Sequence, residues 1–506
     1  MEFDWSRHGL TRNGFRLKKL APLYREVENG FSTISTMRAL FLGLILLSGV
    51  CFSSTVSAVE RRPNLLVIYF DDLGWGDLGC YGAQKIRTPN LDRLASEGTR
   101  FTSFYVSQPV CSASRASLLT GCYANRVGIH GALFPDARIG LSPKEMTLAR
   151  MLKNAGYSTG MVGKWHLGRP TELLPLRHGF DEYLGLPYSN DMWPLNPNAK
   201  PGSYPPLPLI DGDQVVEAIT NQTSLTSRYT ERAVSFIDRH RDDPFFLYVA
   251  HSMPHVPLFA SDRYRGKSAG GLYGDVLEEL DGSVGQILEA LKRNRIDKDT
   301  WVVVTSDNGP WLCYGNHAGS SGPFREGKGT VYEGGVRVPC IMRWPGKIPA
   351  GQTCHEPLMT IDLLPTVAGR VGVPLPDQTI DGKDSWSVLQ GKHSRTHRTY
   401  LFYYGQNQLQ ALRSGRWKLI LPHTAAVLEG REGGRDSQRV PYRQAKTELA
   451  LYDLETDPAE TRNVAGQNPK VMERLLLEVE SARIELGDSL TGRVGKGVRQ
   501  PGQVSP

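Results

Sequence analysis

Cysteine is scarce in this chain, with seven in 506 residues. Five of them, Cys80, Cys122, Cys313, Cys340 and Cys354, lack the close pairwise spacing of a metal cluster. Their odd number cannot all pair within one chain, so no disulfide framework follows. Charge of one sign is missing too: 59 Lys and Arg against 52 Asp and Glu give +7. That balance is too mild to imply a nucleic-acid partner, though it is compatible with an anionic substrate. With 22% charged residues the composition is that of a globular protein, not a disordered one. No apolar run approaches the roughly 20 residues of a stable membrane span. Internal repeats are lacking as well.

The longest apolar stretch, Ala39–Val50, follows Met37-Arg38 and precedes the small residues Val56-Ser-Ala58. A basic residue, a short apolar core and a small-residue cleavage site make a secretory leader. The expected start is therefore Met37, with a leader over 37–58 that takes Cys51 with it and a non-native extension over 1–36. The mature protein is expected to be exported, to a periplasmic, secreted or lysosome-like compartment.

Asn64–Phe70 is a run of strand formers bounded by Pro63 and Asp71-Asp72, the pattern of a fully buried strand. Thr159–Val162, Phe245–Ala250 and Trp301–Ser306 read as further strands. Leu91–Gly98, Ser142–Gly156, Arg228–His240 and Gly274–Asn294 read as helices, with Ser142 as an N-cap and Glu145 as its capping-box partner. Alternating strands and helices predict an α/β fold with a large, mixed, mostly parallel sheet flanked by helices. Residues 187–218, rich in Pro and Asn, read as a long loop of the kind that covers active sites. Past residue 392 the pattern becomes short strands between turns, followed by a helix at Lys470–Leu486. The expected organisation is a catalytic domain over 59–392, a small antiparallel subdomain over 393–490 and a disordered tail over 491–506.

Asp71-Asp72 and Asp307-Asn308 each fall at the carboxyl end of an expected strand, where open α/β sheets bind ligands. If the two strands are neighbours, three carboxylates and an amide converge, a donor set for a hard cation such as Ca²⁺ or Mg²⁺. Cys111 opens a helical segment, where backbone N–H groups and the helix dipole favour negative charge. Arg115 lies one turn along on the same face, so a modifiable nucleophile stands beside a bidentate oxyanion donor. Singly, each feature has a plainer reading as a turn, a helix cap or a packed cysteine.

Pro109-Val-Cys111-Ser-Ala-Ser-Arg115-Ala-Ser-Leu-Leu-Thr120-Gly121 resembles the signature of the type I sulfatases, in the arylsulfatase A and N-acetylgalactosamine-6-sulfatase group. Ala113 stands where that family usually has Pro, and Cys122 where it usually has Arg. Gly163-Lys164-Trp-His166-Leu-Gly168, Met253-Pro-His255-Val-Pro257 and Glu326-Gly-Lys328-Gly-Thr330 are similar to family strings, in family order.

The resemblance implies an alkaline-phosphatase-like fold and hydrolysis of a sulfated carbohydrate or aryl sulfate. It implies that a maturation enzyme converts Cys111 to formylglycine, whose hydrate is the nucleophile, and that Asp71, Asp72, Asp307 and Asn308 hold one Ca²⁺. It gives Lys164 the task of steadying the formylglycine and His166 that of taking a proton from its second hydroxyl. His255 and Lys328 face the bridging oxygen, and Ser189 lies near the sulfate. His317 is expected in a loop at the substrate entrance. Two rival readings remain: a phosphatase or phosphonate hydrolase of the same superfamily, which commonly uses two transition metals, and a non-catalytic carbohydrate-binding protein if Cys111 stays a thiol.

Overall fold

Seven consecutive buried residues, Asn64–Phe70, form the strand around which the chain is built. The computed structural model describes residues 62–392 and 398–504. The extension over 1–36, the leader over 37–58 and Cys51 lie outside the described residues. Among the described residues no helix is long and apolar enough to cross a membrane.

The strands are β1 (Asn64–Phe70), β2 (Thr99–Tyr105), β3 (Ile139–Gly140), β4 (Ser158–Gly163), β5 (Glu182–Gly185), β6 (Leu207–Asp211), β7 (Gln214–Ile219), β8 (Phe245–Ala250), β9 (Thr300–Ser306), β10 (Arg337–Arg343), β11 (Gln352–Cys354) and β12 (Leu358–Met359). All but β3 build one sheet of eleven strands, in the order β11-β2-β10-β9-β1-β8-β4-β5-β6-β7, with β12 beside β2. Strands β9, β1, β8, β4 and β5 are mutually parallel. Strands β10, β6 and β7 pair antiparallel with their neighbours. The sheet is thus mixed and mostly parallel at its centre, as expected.

Alternation along β1 explains why it is buried on both faces. Leu65, Val67 and Tyr69 point into one core, shared with Ala113 and Leu119 of α2 (Cys111–Thr120) and Leu148 of α3 (Leu148–Asn154). Leu66, Ile68 and Phe70 point into the other, with Leu91 of α1 (Pro89–Glu97), Phe236 of α4 (Leu225–Arg239) and Leu280 of α5 (Gly271–Arg293).

Three expectations are corrected. The helix expected from Ser142 begins at Leu148, because Thr147 accepts the capping hydrogen bond from Arg150 N at 3.0 Å. Glu145 makes no capping box; its carboxylate grips the Arg499 guanidinium through two bonds of 2.8 Å. Residues 187–218 are not all loop, since β6 and β7 form a hairpin at the sheet edge. The tail expected to be disordered over 491–506 is built into the fold through residue 504: β19 (Gly502–Gln503) pairs with β3, and Val504 N donates to Arg138 O.

The C-terminal part contains β13 (Thr399–Tyr404), β14 (Gln408–Ser414), β15 (Trp417–Ile420), β16 (His423–Val427), β17 (Arg443–Thr447) and β18 (Ala450–Asp453). Strands β13-β14-β15-β18 form an antiparallel sheet, and the helix Pro469–Leu486 follows. Phe402, Leu412 and Leu419 continue the core that holds Tyr105. A buried charge cluster joins the two parts: Lys418 Nζ lies 2.9 Å from Glu333 Oε1 and 2.9 Å from Glu460 Oε1, and all three side chains are fully buried. Glu460 Oε2 also accepts from Glu333 N at 2.7 Å, which pins the chain just after Lys328. Burial opposes the ionisation of both carboxylates. Lys418 and Arg337 outweigh it at Glu333, whereas at Glu460 burial and the neighbouring Glu333 prevail and push the carboxyl up.

Candidate active site

Strands β9, β1, β8 and β4 are adjacent and parallel, so their carboxyl ends lie along one edge and their next residues meet there. Backbone bonds extend the ladder past the strand ends: Asp307 N to Phe70 O at 3.1 Å, His251 N to Tyr69 O at 2.9 Å and Lys164 N to Ala250 O at 2.7 Å. Asp71-Asp72, Asp307-Asn308, His255 and Lys164 are thereby brought together from four separate stretches of sequence. One oxygen each of Asp71 and Asp72, the Cys111 Sγ and a ring nitrogen of His255 all lie within 4.8 Å of one another.

Each expected residue has a definite partner. Lys164 Nζ bonds Asp71 Oδ2 at 2.5 Å and Ser189 Oγ at 3.0 Å, which places Ser189 in the site. Lys328 Nζ sits 2.7 Å from Asp72 Oδ1 and 4.4 Å above the Trp311 ring. The His255 Nε2 is 3.6 Å from Asp72 Oδ2, and its Nδ1 donates to Val256 O at 2.6 Å. At His166, Nε2 bonds Leu133 O at 2.9 Å, leaving Nδ1 buried and without a partner among the described residues. A carbonyl can only accept, so Nε2 carries the hydrogen and Nδ1 presents a lone pair. Two of these residues, Asp72 and His166, have left-handed backbone (φ 66° and 59°), a strain that concentrates at functional sites.

Two expectations about α2 change. Arg115 is fully buried, and its guanidinium is spent inside the protein: Nε and Nη2 on Asp307 Oδ2 at 3.1 and 2.8 Å, Nη1 on Lys164 O at 2.9 Å. It therefore positions Asp307 and the Lys164 turn rather than presenting an open fork to an oxyanion. Cys111 is 2% exposed, and burial pushes its thiol up to about 12 against the pull of Lys164 and Lys328. Desolvation thus overrules the helix dipole, and the unmodified thiol is no thiolate nucleophile at neutral pH.

The polar atoms fit a hard cation. Asp71 Oδ1 and Asn308 Oδ1 are buried and have no hydrogen-bond partner among the described residues. Asn308 is oriented by its Nδ2, which donates to Asp72 Oδ1 at 2.7 Å and Gly309 O at 2.9 Å. Two orphaned oxygens, one of a carboxylate and one of an amide, beside the Asp72 and Asp307 carboxylates are costly without a cation and suit oxygen-liganded Ca²⁺. Asp71, Asp72 and Asp307 face Arg115, Lys164 and Lys328, so a bound divalent ion leaves the site net positive, as an anionic ester requires.

The sulfatase family model matches residues 63–373, and models for the C-terminal region of aryl-sulfatase and for the N-sulphoglucosamine sulphohydrolase C-terminus match 396–495 and 324–426. Human arylsulfatase A is 40% identical over 86% of this chain and 92% of its own length. The chain belongs to the sulfatase family. It is a sulfuric ester hydrolase, and pig N-acetylgalactosamine-6-sulfatase is another relative, 41% identical over 72% of each chain. Among solved structures, a sulfatase from Pseudoalteromonas sp. superimposes with a TM-score of 0.74 at 29% identity, covering 84% of this chain and 91% of that one. A phosphonate monoester hydrolase of Agrobacterium radiobacter shares the fold at 20% identity, with a TM-score of 0.58 over 88% of this chain and all of that one.

Within this sulfatase, His251 packs against Phe70, with ring centroids 5.7 Å apart, outside the catalytic group. His317 bonds Ser437 Oγ at 3.1 Å in the loop around 312–317 and is not among the gathered residues. Sequence reasoning missed Trp311, Tyr404 and the Leu133 carbonyl. Trp311 follows Asn308 by three residues, and that proximity was the available signal. Tyr404 and Leu133 reach the site only through tertiary packing.

Proposed function

We propose that this sulfatase is formylglycine-dependent, with Cys111 as the converted residue, and that it removes sulfate from a sulfated carbohydrate or aryl sulfate. The observation that carries the reading is the buried meeting of Cys111, Asp71, Asp72 and His255, with Lys164 and Lys328 ion-paired to those carboxylates. Asp71, Asp72, Asp307 and Asn308 would hold the cation, which when bound supplies positive charge to a non-bridging sulfate oxygen. The hydrated aldehyde supplies two hydroxyls on one carbon, one to attack sulfur and one to release the product.

The chain's own side chains do the rest. Lys164 fixes Asp71 and Ser189, and so orients the residue at 111. Lys328 is held protonated by Asp72, and gives its proton to the departing oxygen. His255 donates from Nδ1 to Val256 O, which fixes the ring with Nε2 3.6 Å from Asp72 Oδ2, from where Nε2, once protonated, donates to the bridging oxygen. His166 Nδ1, with no other partner, accepts the proton whose removal frees the product. Export through the 37–58 leader, with a formylglycine-generating enzyme as maturation partner, completes the proposal. Mass spectrometry of the Cys111 peptide, with metal analysis of the same preparation, tests it. An active enzyme should show the aldehyde and about one calcium per chain. An unaltered thiol in a fully active preparation refutes formylglycine dependence, and two zinc or manganese ions favour the phosphatase-like rival.

A further inference from the structure

Two aromatic side chains outside the catalytic set border the place where the leaving group must lie. The Trp311 ring is 4.4 Å from Lys328 Nζ and 5.4 Å, centroid to centroid, from the His255 imidazole. If both residues face the bridging oxygen, the carbon bonded to that oxygen lies within van der Waals reach of the indole. Tyr314 buttresses Trp311 edge-on, with centroids 5.0 Å apart, while Trp311 itself remains only half-buried.

Tyr404 comes from the other part of the chain, as the last residue of β13. Its neighbour Tyr403 donates its N–H to Ser107 O at 3.2 Å, and Gly329 N donates to Pro109 O at 3.0 Å. These two bonds bring β13 and the Lys328 turn against the segment that enters α2. Tyr404 Oη stands 3.3 Å from the position a Cβ on Gly329 would take, and Lys328 and Cys111 are its electrostatic neighbours. It is half-buried, and its hydroxyl has no hydrogen-bond partner among the described residues.

The geometry points to a leaving-group subsite made by Trp311 and Tyr404, which takes a sulfated pyranose in preference to an aryl sulfate. The inference rests on the sulfatase reading above and adds the substrate class to it. A pyranose has an apolar C–H face that an indole can cover and ring hydroxyls that an unpaired phenol can bond. An aryl ring offers the face but no hydroxyl. Tyr404 then makes the C-terminal subdomain part of the substrate site.

The test uses the full-length, matured enzyme with p-nitrophenyl sulfate, a monosaccharide sulfate and inorganic sulfate as inhibitor. Trp311→Ala should raise KM about tenfold for both ring substrates while leaving inhibition by inorganic sulfate unchanged, since that ion carries no leaving group. Tyr404→Phe should cut kcat/KM about fivefold for the sugar sulfate, the size of one neutral hydrogen bond, and less than twofold for the aryl sulfate. Proportional weakening of inorganic sulfate inhibition in Trp311→Ala would mean that the indole acts through His255 and Lys328, and would overturn the subsite. So would a Tyr404→Phe effect that is equal on both substrates or absent. Wild-type enzyme that cleaves neither ester refutes the proposed substrate class of sulfated carbohydrate or aryl sulfate, whereas normal cleavage without selective loss refutes only the subsite.

Discussion

Replacing Lys418 by Met removes the one positive charge that contacts both Glu333 and Glu460, and keeps the length of the side chain. Each contact is at 2.9 Å, and Coulomb attraction at an effective dielectric of about 20 gives about 6 kcal/mol per contact. Most of that offsets the cost of burying three charges. Truncating one member of such a cluster typically costs about 3–5 kcal/mol, because the remaining charge stays buried. Glu333 keeps Arg337 at 3.1 Å and the Tyr105 hydroxyl at 2.6 Å. Among the described residues the Glu460 side chain keeps only the Glu333 N–H, so the loss falls chiefly on Glu460. At roughly 0.9 kcal/mol per kelvin for a cooperative unit of this size, calorimetry should show Tm lowered by about 3–6 °C. With Lys418 gone, burial and Glu333 drive Glu460 to its neutral form, so Glu460→Gln, which fixes that form, should recover part of the loss, as a double-mutant cycle reads directly. The same variant should loosen the 326–337 segment and raise KM through Lys328. A Tm within 1 °C of wild type would refute the reasoning, because it would mean the cluster is already compensated without Lys418.

Three further outcomes are expected. Cys111→Ser should bind substrate yet keep a sulfo group on its Oγ after releasing the alcohol once, seen as a mass gain of one SO3; steady turnover by that variant contradicts the need for a second hydroxyl. Chelation should lower Tm and calcium should restore it, by about 2.7 kcal/mol at a hundredfold excess over Kd, whereas indifference to both speaks against a resident cation. Burial depresses His178 and His251 to about 3, so both stay neutral in the folded state while the unfolded chain takes up protons below about 6.5. Their contribution is whole above that pH and is lost as pH falls towards 3, at up to about 1.4 kcal/mol per unit for each. His178→Phe, which keeps a ring against Trp165, should flatten this acid limb by one such increment, and an unchanged slope would show that His178 does not titrate this way.

Local signals carried the strands and much of the site. The apolar run before Asp71 and the one before Asp307 were legible because a fully buried strand leaves a short, unbroken pattern. Their adjacency was not legible, because it depends on the strand order in a mixed sheet. Glu145 misled for a physical reason: its spacing from Ser142 mimics a capping box, yet its partner is Arg499, 354 residues away. Arg115 was read as an oxyanion donor because its position on the helix, one turn from Cys111, is right. Only packing reveals that its fork is already filled by Asp307. The edge hairpin at Leu207–Ile219 was hidden because the first five residues of β7, Gln214 to Ala218, lie exposed and give no core-facing alternation. Trp311 and Tyr404 carry no motif at all, since their relevance comes from what stands next to them.

Strand β1 also dictates an order of events during synthesis. Leu65 pairs with Phe246 on one side and with Trp301 on the other, so the first strand of the sheet is made long before either neighbour exists. Until the ribosome has passed residue 306, an apolar heptapeptide followed directly by Asp71-Asp72 has at least one open edge. Such late, distant pairing slows folding and leaves the nascent chain prone to self-association. The arrangement that gathers the catalytic groups on one edge of the finished sheet therefore makes the growing chain dependent on protection while it waits.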